Sequence, residues 1–218
     1  MLDSNFDAIP SILEEGRRTI NNIERSSSLF LTKTIYAILL TILFLFVPIN
    51  YPFQPIQLSL TSAITIGIPS FLLALEKNNK RIEGNYLINV ISKSIPAALT
   101  IVINVAFVLL LSLLIRLSDS EISTMSVVLV AFTGFLLLFK LCLPFNKKKL
   151  ILYIGLITMF MVLVIGLSQF FELVLLSFPK FIFIGIICVL DIALFINMSL
   201  VCEKRIFIKR DEIIRRVK

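Results

Sequence analysis

The chain has 218 residues, of which 58% are hydrophobic and 16% are charged. About a quarter of the residues in a soluble domain are charged, so this composition excludes an ordinary soluble protein. The formal net charge is +7 and histidine is absent, which removes the commonest zinc and copper ligand. The basic residues are spread over separate segments and do not form one folded basic face, so we expect no nucleic acid partner. The three cysteines have no paired spacing and are expected to be free thiols.

Six apolar runs divide the chain, and each has about the 20 residues that a helix needs to cross the hydrocarbon core of a membrane. They predict an all-α polytopic membrane protein, with six transmembrane helices in contact with the lipid bilayer. The runs extend over Leu29 to Pro48, Gln57 to Leu75, Ile95 to Ile115, Ile122 to Phe139, Leu150 to Leu167 and Phe181 to Val201. A transmembrane domain is therefore predicted over residues 29–201.

The basic residues lie almost wholly in segments that six crossings would place on one side of the membrane. Nineteen of the 21 lysines and arginines belong to these segments, and the exceptions are Arg116 and Lys180. Cytoplasmic segments carry an excess of lysine and arginine, so both termini are predicted to be cytoplasmic, in a multi-pass protein of the plasma membrane. Residues 202–218 are predicted to form a basic cytoplasmic tail.

The segment before the first run has a helical pattern that continues into that run. Apolar residues recur every three or four positions from Ile9 to Ile23, with charged residues between them. No turn chemistry interrupts the pattern between Ser11 and Pro48. The helix from Ser11 is therefore predicted to form a cytoplasmic stalk that continues into the membrane. An amphipathic helix lying on the membrane surface is the alternative.

The second run contains a group of polar residues that points to a cation path. Thr61, Thr65 and Pro69 are spaced by four and share one helix face, with Ser62 beside them. Pro69 cannot donate a hydrogen bond to the carbonyl oxygen of Thr65, and a hard cation binds such free oxygens. We predict that these residues line a cation path. The alternative is a structural kink whose free carbonyl is satisfied by a neighbouring group.

Asp191 is the acidic residue deep inside the sixth run, and an intramembrane carboxylate is costly enough to be a functional candidate by default. We predict that it joins the cation path together with Asn104 of the third run. Other roles stay open for Asp191: a proton relay, or a hydrogen-bonded structural position. For Asn104 the alternative is an amide that holds two helices together.

Two parts of the sequence resemble a known family. Leu2 to Ile9, followed by Glu14 to Arg18 and Asn21 to Ile23, resembles the end of the phosphorylation domain and the stalk of P-type cation-transporting ATPases. Thr65 to Phe71 and Lys80 to Asn85 resemble the sixth helix and the following loop of bacterial pumps of this family, calcium exporters in particular. The resemblance implies the C-terminal membrane half of such a pump, with residues 1–28 as the end of the phosphorylation domain and the stalk.

The resemblance covers Leu2 to about Leu99 and continues beyond it by topology. The family's phosphorylation string Asp-Lys-Thr-Gly-Thr does not occur in this sequence, nor do its Thr-Gly-Glu and Gly-Asp-Gly motifs. The resemblance therefore implies that ATP and Mg²⁺ bind in the cytoplasmic head of a full pump. Its implied partners are the transported cation and the N-terminal half of the pump, without which this chain is expected to be inactive. The alternatives are a self-standing six-span permease or channel, and a membrane subunit that docks through its basic tail.

Overall fold

The computed structural model describes the backbone of residues 9–47, 50–82 and 84–217, and the side chains of these ranges as far as Lys204. Several positions used above lie outside the described residues: the string from Leu2 to Ala8, Pro48, Glu83 and the side chains of the predicted tail beyond Lys204. The described part of the chain is helical and contains no strand.

The described residues form seven α-helices and one π-helical turn, which follow one another along the chain. They comprise α1 (Ile9–Phe46), α2 (Pro55–Ser62), a π-helical turn (Ala63–Gly67), α3 (Ile68–Ala74), α4 (Tyr86–Ile115), α5 (Asp119–Cys142), α6 (Lys147–Gly166) and α7 (Phe178–Val217). The α2 helix, the π turn and α3 form one continuous second span, Pro55–Ala74. Six helices in the described residues are long and apolar enough to cross a membrane, which confirms the predicted fold class.

Polar capping residues set the start of several helices outside the apolar runs. The side-chain oxygen of Asn85 accepts a hydrogen bond from the backbone N–H of Leu87 at the start of α4. At the start of α5, Ser118 and Glu121 form a reciprocal capping box. These contacts satisfy N–H groups that have no partner within the helix. The helices are therefore longer than the stretches that hydropathy marks.

The α1 helix is unbroken over 38 residues, so the predicted continuous helix from stalk to membrane is confirmed. Leu29, Tyr36 and Leu40 lie on one face and are buried. This face packs mainly against α4 and also contacts α3. The division of the chain at residue 28 into stalk and membrane domain stays a prediction, because the helix passes through that point without a change.

The α5 helix lies at the centre of the bundle. In its most apolar stretch 72% of the residues are buried, against 17% in α6, so α6 lies at the periphery. The α5 helix contacts α2, the π turn, α4, α6 and α7. Edge-to-face ring contacts from Phe135 to Tyr153 and Phe160 join it to α6. The three cysteines are free, as predicted.

Two ion pairs define the two sides of the bundle. Glu121 and Lys180 pair at the beginning of α5 and α7, whereas Lys140 near the end of α5 pairs at 2.7 Å with Glu203, farther along α7. These two helices therefore run parallel. We call the side with Lys140, Glu203 and the N-terminal half of α1 the basic side, and the side with Glu121 and Lys180 the opposite side.

Candidate functional site

The second span departs from α-helical geometry in its middle. The backbone N–H of Ile68 donates to the carbonyl oxygen of Ala63, five residues back, and Pro69 has no N–H. In a regular α-helix, residue 68 would donate a hydrogen bond to the carbonyl oxygen of Ile64, and residue 69 would donate to that of Thr65. Both oxygens therefore lack their α-helical donors. A π turn inside a helix frequently marks a functional site. The sequence predicted the loss of the α-helical donor at Thr65, and the π turn adds the same loss at Ile64; that either oxygen is free for a cation stays a prediction.

A polar stripe runs along one face of the second span. Its members are spaced by four, and the exposed fractions of Gln57, Thr61 and Thr65 are 0%, 1% and 5%. The Thr61 hydroxyl donates to the Gln57 carbonyl at 3.2 Å, and the Thr65 hydroxyl donates to the Thr61 carbonyl at 2.7 Å. The lone pairs on both hydroxyl oxygens therefore remain able to accept a donor or bind a cation. Pro69, at the basic end of the stripe, is also buried.

Ser62 lies beside this stripe and is half-buried. Its Oγ is fully buried and has no hydrogen-bond partner among the described residues. A buried hydroxyl without a partner is uncommon, because the desolvation of its oxygen is not compensated. The four predicted residues of the second span therefore lie together, three on one face and Ser62 next to it.

The α5 helix approaches the π turn closely at Gly134. A Cβ atom placed on Gly134 would lie 3.0 Å from both Cβ and Cγ2 of Thr65. Such a distance is shorter than a normal carbon–carbon contact, so only glycine permits this approach without a shift. The side chain of Thr65 therefore lies at the contact between the second span and the central helix α5.

The stripe leads to a cavity on the opposite side of the bundle. This cavity has a volume of about 410 Å³, and its lining includes Gln57, Asp119 and Glu172. The side-chain oxygen of Gln57 accepts from the Ser123 hydroxyl at 2.6 Å, and its Nε2 donates to the Glu172 carbonyl at 3.0 Å. The sequence pattern marked Gln57 only as the first residue of an apolar run and did not predict a role for it. Because Gln57 lies four residues before Thr61, the helical spacing would have placed it on the same face.

Asn104 and Asp191 are brought together by a residue that the sequence does not single out. Asp191 is 1% exposed, and its Oδ2 lies 2.9 Å from Oγ1 of Thr133. The amide nitrogen of Asn104 donates to the same Oγ1 at 3.2 Å. The three side chains come from α4, α5 and α7. A threonine in an apolar run is common, so only the packing of three helices identifies Thr133.

The polar stripe of the second span and the cluster of Asn104, Thr133 and Asp191 lie on different faces of α5. Thr133 contacts Asn104 and Asp191, whereas the next residue, Gly134, contacts Thr65. Successive residues of an α-helix point about 100° apart. That Asn104 and Asp191 share one cation path with the second span therefore stays a prediction.

The N-terminal half of α1 holds the chain segment that leaves the second span. The side-chain amide of Asn22 donates to the carbonyl oxygens of Ala74 at 3.0 Å and Glu76 at 2.8 Å. The amide of Asn21 donates to the carbonyl oxygen of Lys80 at 2.8 Å. We call these bonds the stalk contact. It joins the part of α1 that extends from the membrane to the end of the helix that contains the π turn.

Glu76 strengthens the stalk contact with charge. Its carboxylate pairs with Arg25 of α1 at 2.7 Å and with Lys149 of α6 at 3.0 Å. Burial by itself would raise the pKa of Glu76, but the hydrogen bonds from Lys149 and Arg25 outweigh it and hold the pKa below its ordinary value. A further pair, Glu24 with Lys93 at 2.5 Å, joins α1 to α4. The stalk half of α1 is thus attached directly to the end of the second span and to α4, and Glu76 links it to α6.

No protein-family model matches the chain. It is 35% identical over 162 residues to the "Probable cation-transporting ATPase exp7" of Streptococcus pneumoniae, a match that covers 71% of this chain and 21% of that protein. It is 41% identical over 111 residues to the "Calcium-transporting ATPase CtpE" of Mycolicibacterium smegmatis, covering 46% of this chain and 14% of that protein. The Mycobacterium bovis protein of the same name is 39% identical, with the same coverage. The chain thus spans about a fifth or less of the length of these relatives.

Proposed function

Since the chain is a relative of the P-type cation-transporting ATPases and has the six apolar helices expected of their C-terminal transmembrane part, we propose that it is the C-terminal membrane part of an ATP-driven pump that exports a cation. Calcium is the favoured ion, because two of the similar proteins are named calcium-transporting ATPases. The N-terminal part of the pump is the partner that binds ATP and Mg²⁺, and the chain alone does not pump.

The observation that carries this proposal is the physical connection between the stalk half of α1 and the second span. The Asn22 amide holds the carbonyl oxygens of Ala74 and Glu76, directly after the end of α3. A movement of α1 imposed from its N-terminal end is therefore transmitted to the helix that contains the π turn. The freed oxygens of Ile64 and Thr65 change position with that helix. Such a link converts movement of an ATP-driven head into a change in cation binding.

We place the cation path along the stripe of the second span. Thr61, Thr65 and the carbonyl oxygen of Ile64 supply oxygen atoms, with Ser62 at the side, and Pro69 keeps the backbone oxygens free. Calcium takes about six to eight oxygen ligands, so helices of the N-terminal part complete the set. The path continues past Gln57 into the cavity on the opposite side. Because basic segments favour the cytoplasm, we assign the basic side to the cytoplasm of a plasma-membrane protein, which makes the cavity the exit.

Cation uptake into inverted membrane vesicles tests this proposal. Vesicles that contain this chain together with the N-terminal part should accumulate radioactive Ca²⁺ only when ATP is present, and vesicles with the chain alone should accumulate none. Thr65→Val should lower the apparent Ca²⁺ affinity about tenfold, because one oxygen ligand is lost. Ser59→Ala is the matched control, since Ser59 lies on the same span with an exposed side chain.

Two results would contradict the proposal. Accumulation by the chain alone without ATP would indicate a self-standing permease. An unchanged affinity in Thr65→Val, measured in a pump that still accumulates Ca²⁺, would remove the second-span stripe from the cation path.

A further inference from the structure

The hydrogen atoms around Thr133 can be counted. Its Oγ1 lies 2.9 Å from Asp191 Oδ2 and 3.0 Å from the backbone oxygen of Leu129, and it accepts from the Asn104 amide at 3.2 Å. A hydroxyl has one hydrogen and can accept two hydrogen bonds. An ionised Asp191 and the Leu129 carbonyl both only accept, so one hydrogen cannot serve both. If Asp191 carries a proton, it donates to Thr133, Thr133 donates to Leu129, and each of the three contacts has its own hydrogen.

The second oxygen of Asp191 also favours the uncharged form. Asp191 Oδ1 is buried and has no hydrogen-bond partner in the described part of the chain. A negative charge on this carboxyl would therefore be stabilised only by the Thr133 hydroxyl and the nearby Asn104 amide, in a region where unpaired charge is expensive. An uncharged carboxyl leaves only a neutral oxygen without a donor, which costs much less.

No ion pair within the described residues offsets a negative charge at Asp191. The α7 helix packs against α4 and α5, and the nearest charged residues along these three helices are Lys93, Arg116, Glu121, Lys140, Lys180 and Glu203. Those on α7 are at least eleven residues from Asp191, or about 16 Å at about 1.5 Å per residue. Lys140 of α5 lies 6.0 Å from the ring of Phe195, one turn after Asp191, but its charge is paired with Glu203 at 2.7 Å. Cys188, one turn earlier on α7, and Cys202 are the other titratable side chains on the stretches between these charges, and neither supplies a positive charge.

We propose that Asp191 carries a proton in this conformation, and that Asn104, Thr133 and Asp191 form a proton-binding site between α4, α5 and α7. The ligand is a proton bonded to Asp191 Oδ2. It leaves to water, as hydronium, only when α7 moves away from α5 and water reaches the carboxyl group; no other covalent bond changes. The site follows from contacts within this chain and does not require the proposed pump function.

Infrared spectroscopy of the full chain in lipid nanodiscs tests the proposal. Solvated Asp and Glu side chains have pKa values of about 4 and are ionised at pH 8, whereas a protonated carboxyl group has a separate C=O stretching band. The wild-type chain should show this band at pH 8, and Asp191→Asn should abolish it. Absence of the band from a wild-type sample that keeps its helical amide signal would overturn the proposal.

A second variant locates the proton without removing Asp191. Thr133→Val takes away the oxygen that accepts from the carboxyl group, so the band should move to higher frequency. Thr158→Val is the matched control, because Thr158 is an exposed threonine of α6 bonded to its own helix, and it should leave the band in place. A band that does not move in Thr133→Val would show that the proton is not directed at Thr133 and would contradict the proposed site.

Discussion

At the scale of single residues, Gly134 determines how closely the central helix approaches the π turn. A Cβ atom at this position would lie 3.0 Å from two carbon atoms of Thr65. Gly134→Ala therefore forces α5 and the second span apart, and we expect it to destabilise the fold by about 1–3 kcal/mol. Thermal unfolding in lipid nanodiscs measures the effect.

Gly155→Ala is the matched control for this substitution. Gly155 lies in α6, and an added Cβ would meet no atom within 4 Å. Because alanine favours a helix over glycine by up to about 1 kcal/mol, this variant should be as stable as the wild type or slightly more stable. Equal loss of stability in both alanine variants would contradict a close approach at Gly134.

The residues of the candidate site differ in how visible they are in the sequence. Pro69 and Asp191 stand out, because a proline and a carboxylate are each unusual inside an apolar run. Thr133 and Gly134 do not, since hydroxyl residues and glycine are common in membrane helices. Their roles arise only from which helices α5 touches. The sequence therefore identifies the chemically unusual residues and misses the ordinary ones that bring them together.

At the scale of elements, Glu76 joins the end of the second span to α1 and α6. A carboxyl group whose pKa is lower in the folded chain than in the unfolded chain stabilises the fold above the unfolded pKa, and this contribution is lost as the pH falls through the folded pKa. We expect Glu76→Gln to cost about 1–3 kcal/mol near neutral pH, because Arg25 and Lys149 lose their partner. Below the ordinary value of 4.5 the difference from the wild type should shrink.

Thermal unfolding midpoints measured across this pH range check the role of Glu76. Glu14→Gln is the control, since Glu14 lies on the same helix as Arg25 but is exposed, and it should change little at any pH. A Glu76→Gln effect that is as large in acid as at neutral pH would mean that packing rather than charge joins these elements.

Hydropathy predicted the number and order of the helices but not their geometry. The predicted start at Ile95 lies well inside α4, which begins at Tyr86, because hydropathy detects the apolar part of a helix and not its polar ends. The π turn could not be predicted, since the spacing of Thr61, Thr65 and Pro69 is the same as in a regular α-helix. Only the bond from Ile68 to Ala63 reveals the wider turn.

At the scale of the whole molecule, the chain combines a stalk, a central helix and a second span with freed backbone oxygens. The stalk contact connects the stalk to the second span, and the close approach at Gly134 connects the central helix to the second span. The composition and the positions of the basic residues predicted the membrane class and the six crossings. The stalk contact itself could not be predicted, because it depends on side-chain bonds between segments about fifty residues apart in the chain, such as Asn22 to Ala74.

The ratio of cations transported to ATP hydrolysed tests the central claim most directly. It is measured in a pump assembled from this chain and its N-terminal part, for the wild type, the double variant Asn21→Ala/Asn22→Ala and the exposed control Thr19→Ala. If the stalk contact drives the second span, the double variant keeps its ATP hydrolysis while Ca²⁺ transport falls about tenfold, and Thr19→Ala behaves like the wild type. An unchanged transport ratio in the double variant would contradict the claim that α1 moves the cation path through this contact.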